Sequence, residues 1–490
     1  MLIGGLDIGT TGCKLSVYSD TGEFVSNTYK EYEVSRRNGE HEVDAAMIFD
    51  AVCDIIRTAS AEQEIAAIGV TSFGETFTLL DENDNVLLPS MLYTDPRGSA
   101  ECGVLCEKLG EKRLTYISGV KPHPMYSLPK LMWVKNNRPD VWSKVKRVLL
   151  MEDYIVYRLT GIAQIDYSLA ARTMALDIRE KCWSGEILDA AGIDAGLLSK
   201  LVPTGTAAGK IRSDLGIRGD ITIVSGCHDQ VAAAVGAGIL SPGTAVDGTG
   251  TVECVTPMFD HVPENEQLYD EGYSVVPYVI DGTYVCYALS FTGGAVLKWF
   301  RDNLAAKYEG VDNVYAKLDA DAPEAPTGLL VLPHFAGAAN PYMDNGSKAA
   351  ILGLTLEHTS ADIYKALMEG VTYEIMLNLE HLESCGITPE KLYATGGGAN
   401  SAVWLQIKAD ILNRPVTALT AKEAGACGTC MLAGRAIGIY DSLEDAKKIF
   451  VREKHTYLPN SEKAAVYQKY YAAYRKVYDA VRPIIGEVNP

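Results

Sequence analysis

The 490-residue sequence has no apolar run long enough to cross a bilayer. Its longest candidate, 231–240, stops at Ser241-Pro242, whereas a spanning helix needs about twenty residues. The amino terminus, MLIGGLDIGTT, has no basic segment and is interrupted by Asp7, so it does not read as a secretory signal. Eleven cysteines are scattered along the chain, an odd number and too sparse for a disulfide framework. Positive charge is also in deficit: 44 Lys and Arg face 63 Asp and Glu, for a net charge of −19. Nucleic acid and anionic membranes repel such a chain, and neither is an expected partner. What is present is a globular composition, 47% hydrophobic and 22% charged, and the expected compartment is the cytoplasm. The acidic balance still permits a small anionic ligand neutralised locally by a metal ion or by backbone N–H groups.

Several common signatures are missing. There is no G-x-x-x-x-G-K-[ST] and no H-R-D, and Ser241 and Ser401 stand where a dinucleotide fingerprint would need its third glycine. The single C-x-x-C, Cys427 to Cys430, lies in AGACGTCMLAG without a second pair of ligands. It reads as a tightly packed helix.

Strand and helix patterns alternate through the chain, which predicts an α/β fold. Residues 2–18 form an apolar segment, a Gly/Thr turn and an alternating segment, as in a β-hairpin. Asp44 is placed to cap a helix carrying Ile48, Val52, Ile55 and Ile56, and 65–71 follows as a buried strand. Residues 221–224 and 244–256 begin a similar strand and hairpin. LDIGTTGCKLSV at 6–17 and VDGTGTVECVTP at 246–257 share an apolar residue, an Asp, a Gly/Thr turn and a strand. This repeat predicts two related halves, 1–240 and 241–490. Farther on, Ser360 is expected to cap a long helix, 391–395 to run as a strand into three glycines, 401–412 to be helical, and 461–481 to form one Tyr-rich helix ended by Pro483.

Glycine-rich turns after strands let backbone N–H groups face an anion, threonine hydroxyls add donors, and a strand-end carboxylate can hold hydrated Mg²⁺. Asp7, Thr10, Thr11 and Lys14 supply these parts once; Asp247, Thr249, Gly250 and Thr251 supply them again. Either turn alone serves equally well as an ordinary hairpin. Asp229, in Ser225-Gly226-Cys227-His228-Asp229-Gln230, follows a buried strand, where it reads either as a helix cap or as a catalytic carboxylate.

Taken together, these segments resemble the FGGY family of carbohydrate kinases. Residues 125–137, MYSLPKLMWVKNN, look like the family's first signature, and 349–369 look like its second, departing at Leu367. The resemblance implies two actin-like (ribonuclease-H-like) ATPase domains flanking a central cleft, with ATP and Mg²⁺ as cofactors. It implies γ-phosphoryl transfer to a hydroxyl of a small sugar or polyol. By position, Asp229 corresponds to the catalytic aspartate, and Asp7, Thr10, Thr11 and Lys14 to the first phosphate and metal turn. Thr249, Gly250 and Thr251 correspond to the second turn, and Gly396, Gly397, Gly398 and Asn400 to the adenosine segment. The first half would hold the sugar, the second the adenosine.

Substrate preference is less direct. Relatives meet the sugar with segment 71–77. Gly74, Glu75 and Thr76, with Gln230, match neither the Gln-Met-His-Gly of xylulokinases nor the Gln-Arg-Glu-Thr of glycerol kinases. Gly74 in place of that arginine predicts open space and a ligand larger than glycerol, and a ketopentose such as xylulose is the leading substrate. Asp95 and Arg97 read as an ion pair in preference to sugar contacts. A nucleotide switch of the actin or Hsp70 type, and a sugar sensor with decayed catalysis, are the competing functions. Oligomeric state is left open, a homodimer being one option.

Overall fold

The computed structural model describes residues 1–308, 310–420 and 423–488. The first hairpin forms as its pattern predicts: Leu2–Ile8 pairs antiparallel with Gly12–Ser19, Asp7 lying opposite Lys14. Asp44 caps the helix Ala45–Glu62 by accepting from the N–H of Ala46 and Met47, and Ile48, Val52, Ile55 and Ile56 are all buried. That helix returns the chain to Ile65–Ser72, parallel to Leu2–Ile8. Thr222–His228 then adds in parallel on the far side of Ile65–Ser72, so three parallel strands end together in a sheet of six.

The second half repeats this plan. Thr244–Thr249 and Glu253–Phe259 form the hairpin, and Lys391–Gly396 joins Thr244–Thr249 in parallel within a sheet of eight. The weak sequence repeat is therefore a repeat of topology.

Three local expectations are corrected. Thr359, not Ser360, caps the helix Ser360–Ser384, in a capping box with Asp362; a hydroxyl needs to stand one position outside the first turn to do this. The Tyr-rich segment is two helices, Ser461–Tyr474 and Val477–Val488, and Pro483 lies inside the second instead of ending it. The strand before Asp229 runs on to His228. Tyr467, Tyr471 and Tyr474 are buried, as packing residues should be, but their hydroxyls also donate to Glu369, Glu380 and Glu374.

The helix Ala424–Ala436 comes from the second half of the sequence yet packs on the first sheet and on the helix Asp229–Gly236. Glycines make this contact possible. A Cβ on Gly236 would stand 1.8 Å from the Ala424 carbonyl oxygen, and one on Gly428 2.0 Å from that of Ala232. Cys427 and Cys430 lie in this seam, both buried. Among the described residues, no helix is long and apolar enough to cross a membrane. Gly428→Ala is expected to destabilise the fold by about 1–3 kcal/mol through overpacking, whereas Gly425→Ala, whose Cβ meets nothing within 4 Å, leaves it unchanged. Urea denaturation of the two variants measures the difference.

Candidate active site

Because the strands Leu2–Ile8, Ile65–Ser72 and Thr222–His228 are parallel, Asp7 and Asp229 emerge at the same edge of the first sheet. Strands two apart stand roughly 10 Å from each other, close enough for the carboxylates to feel each other across the cleft floor. Asp7 is pushed up to about 6 by burial and then by the Asp229 charge, with Lys14 opposing. Asp229 also rises to about 6 through its enclosed setting, moderated by the Gln230 N–H and by Arg172.

Asp229 is the first residue of the helix Asp229–Gly236, one place inside the cap position that His228 holds. Its Oδ1 accepts from the Gln230 N–H at 2.6 Å, and a helix N-terminus favours this charge. The backbone before it is pinned by buried carboxyl groups. Glu152 accepts from the Gly226 N–H at 3.1 Å, where the strand slips register against Ile65–Ser72. A Cβ at Gly226 would come within 2.0 Å of the Val70 carbonyl oxygen. Asp166 caps the short helix Tyr167–Ala171 and binds Ser168, whose Oγ in turn accepts from the His228 N–H at 3.0 Å. His228 itself is structural. Its Nδ1 lies 3.2 Å from the Tyr287 hydroxyl and 3.3 Å from Asp229 Oδ1, and burial followed by the Arg172 charge lowers it to about 3.

The first turn, Gly9 to Gly12, closes with the Gly9 N–H on the Gly12 carbonyl. Thr10 is half-buried and Thr11 exposed. Lys14 binds Glu423 at 2.5 Å, the residue that precedes the helix Ala424–Ala436.

The second turn is built differently. Asp247 is fully buried, 2.5 Å from Lys408 Nζ, and Lys408 also holds the Thr249 hydroxyl at 2.7 Å. Asp7 stands one residue before its hairpin's closing pair and Asp247 two before. With a period of two, that single step turns the second carboxylate to the opposite face. Asp247 is thus not available to a metal, which corrects the expectation that both turns carry a strand-end carboxylate for one. Thr249 is buried, its hydroxyl turned to Lys408 and its backbone paired between Glu253 and Gly396, so only Gly250 and Thr251 stand at the surface, which corrects the expectation that Thr249 faces a phosphate. The glycine segment packs directly on this turn: Cβ atoms on Gly396 (φ +80°) and Gly398 would meet Thr249 at 2.5 and 2.6 Å.

Gly250, Thr251, Gly397, Gly398 and Asn400 line one pocket of about 960 Å³. Its other wall was missed in the sequence. Ala295, Lys298, Trp299 and Asn303 come from the helix Gly294–Leu304, joined by Tyr315 and Tyr364. The signal for them was Gly293-Gly294 ahead of an amphipathic segment.

Gly74, Glu75 and Thr76 are buried, a Cβ at Gly74 would meet His228 Cδ2 at 3.1 Å, and Glu75 adopts a left-handed backbone with φ of 64°. A non-glycine residue held there carries local strain, which collects at functional sites. Gln230 is half-buried next to Asp229. The open space expected over Gly74 does not exist. Arg172 fills it, and a Cβ at residue 74 would meet Arg172 Cγ at 2.9 Å. Nothing in the sequence pattern pointed to Arg172. Asp95 and Arg97 form the ion pair expected of them, with Glu42 as a further partner of Arg97.

Residues 2–236 match the FGGY family of carbohydrate kinases, N-terminal domain, and residues 256–437 match the C-terminal domain of the same family. The xylulose kinase of Lactococcus lactis is 27% identical over 481 residues, covering 95% of this chain and 94% of that protein. The gluconokinase of Bacillus subtilis is 29% identical over 491 residues, covering 95% and 93%. The crystal structure of a ligand-bound xylulose kinase from Lactobacillus acidophilus superposes with a TM-score of 0.90 at 26% identity, covering 99% of both chains. With both domain models matched and the two α/β halves in place, this chain belongs to the FGGY family of carbohydrate kinases and is a sugar kinase.

Proposed function

We propose that the enzyme transfers the γ-phosphoryl group of Mg·ATP to a hydroxyl of a ketopentose, xylulose-like, or of a related sugar or polyol, with Asp229 as the general base. The observation that carries this reading is geometric: Asp7 and Asp229 emerge at the ends of parallel strands on one edge of the first sheet, and the second half's glycine turns line a pocket of about 960 Å³. A carboxylate near 6 is ionised at neutral pH yet basic enough to take a hydroxyl proton as the oxygen attacks. Relatives named xylulose kinase, in sequence and in structure, support the ketose.

Each part of the chain has a role in this scheme. Thr10 and Thr11, the Gly9 to Gly12 backbone and Lys14 face the transferring phosphate. Gly250 and Thr251 grip it from the second half. Gly396, Gly397, Gly398 and Asn400 bound the adenosine pocket, and Gly74, Glu75, Thr76, Asp229 and Gln230 meet the sugar. The division of labour falls at 1–240 and 241–490, except that the helix Ala424–Ala436 belongs physically to the first sheet.

Asp7 is the residue that would hold Mg²⁺. One carboxylate suffices for a cation that keeps most of its water and takes phosphate oxygens as its other ligands. When bound, the ion neutralises charge on the phosphate chain. The protein's own part is alignment, proton acceptance at Asp229 and exclusion of water from the cleft.

Screening pentuloses, aldonates and polyols for ADP release identifies the acceptor. Asp229→Asn should lower turnover by about 10²–10⁴-fold while leaving ATP binding by calorimetry intact; near-normal turnover removes Asp229 from the role of base. In the wild type, kcat/KM should rise with pH through about 6 as this carboxyl group ionises. Stability carries the opposite sign. A carboxyl group whose value is raised on folding loses stability as it ionises, so the cost is fully present above about 6 and absent below the unfolded value of 3.8. Asp229→Asn should therefore raise the melting midpoint at pH 8 and lose that advantage at acid pH.

A further inference from the structure

Arg172 follows the short helix Tyr167–Ala171, whose cap Asp166 is buried and hydrogen-bonded to Ser168 and Thr204. That anchoring delivers the side chain into the sugar end of the cleft, where it is 7% exposed. Its Nε donates to Glu75 Oε1 at 2.6 Å, and Nη2 pairs with the same oxygen. The guanidinium lies 5.1 Å from the ring centre of Tyr126 and 5.8 Å from that of Tyr287. Three sides of the group are thus occupied by Glu75, Tyr126 and Tyr287. Its remaining nitrogen, Nη1, is buried with no hydrogen-bond partner among the described residues.

Two physical consequences follow. A buried guanidinium N–H without a partner is costly, and Asp229 and His228 both lie within reach of this charge. An oxygen of a ligand in the sugar site is the partner that would satisfy it. Secondly, the positive charge is already committed to Glu75, while Asp229 adds a negative charge to the same floor. A carboxylate-bearing ligand entering here would meet net negative charge, whereas a neutral ligand would meet one free donor.

We propose that Arg172 is a specificity-determining residue: Nη1 donates to an oxygen of a neutral polyhydroxylated acceptor, and the pairing of Arg172 with Glu75 turns away aldonates. It does from another element what a side chain at residue 74 would otherwise do, and it keeps residue 74 a glycine. This inference rests on the sugar-kinase reading with Asp229 as base.

The test is ADP release with xylulose and with gluconate by the wild type, Arg172→Gln, Glu75→Gln and the double variant, with melting midpoints and ATP binding recorded for each. The wild type should turn over xylulose readily and gluconate only at a much higher KM. Arg172→Gln should raise KM for xylulose about tenfold or more with a smaller change in kcat. Glu75→Gln frees the Arg172 charge and should lower KM for gluconate about tenfold or more. If Arg172→Gln fails to fold because Glu75 is left buried and unpaired, the double variant removes both charges and should show the same rise in KM for xylulose. An unchanged xylulose KM in the folded variants, a wild type that prefers gluconate, or no gain of gluconate use by Glu75→Gln overturns the proposal while leaving the kinase intact. Failure of the wild type to release ADP with any sugar, polyol or aldonate overturns the kinase reading itself.

Discussion

The close contact between the helices Ala424–Ala436 and Asp229–Gly236 is the constraint on which the site depends. Backbone meets backbone there, since Gly236 and Gly428 leave no room for a Cβ. One helix begins with Asp229 and the other follows Glu423, the partner of Lys14. A single seam therefore sets the position of the cleft carboxylate and of the lysine on the first turn. Dispersion falls steeply with separation, so a side chain inserted here would cost packing and displace both groups at once.

Around that seam the two halves use charge differently. The first sheet leaves Asp7 and Asp229 facing the cleft, with Lys14 and Arg172 as their nearby positive charges. The second buries Asp247 against Lys408 and uses the lysine to brace its turn from behind. Buried ion pairs contribute little net stability but hold one geometry. The acidic chain can accommodate a polyphosphate because the second turn presents backbone and glycine at its surface and keeps its carboxylate behind it.

Much of the fold could be read from local pattern. Hairpins are short-range objects, and a Gly/Thr turn between alternating segments specifies both strands. The Asp44 cap, the buried face of its helix and the two family signatures are likewise contiguous in sequence. Some departures were also local: a cap displaced by one residue at Thr359, and a proline tolerated within a terminal helix.

The sequence by itself determined the family, the α/β repeat, the glycine turns and the position of Asp229 after a strand, because each depends on residues within a few positions of one another. Tertiary structure decided what no local pattern encodes. A one-residue difference in register turned Asp247 inward while Asp7 faced the cleft. The helix Gly294–Leu304 supplied a pocket wall from far along the chain. Arg172, 97 positions from Glu75 in sequence, filled the space that the glycine at 74 had promised to leave empty. The reason is common to all three: which side chains share a cavity is settled by sheet order and helix packing, and those depend on contacts between residues far apart in sequence.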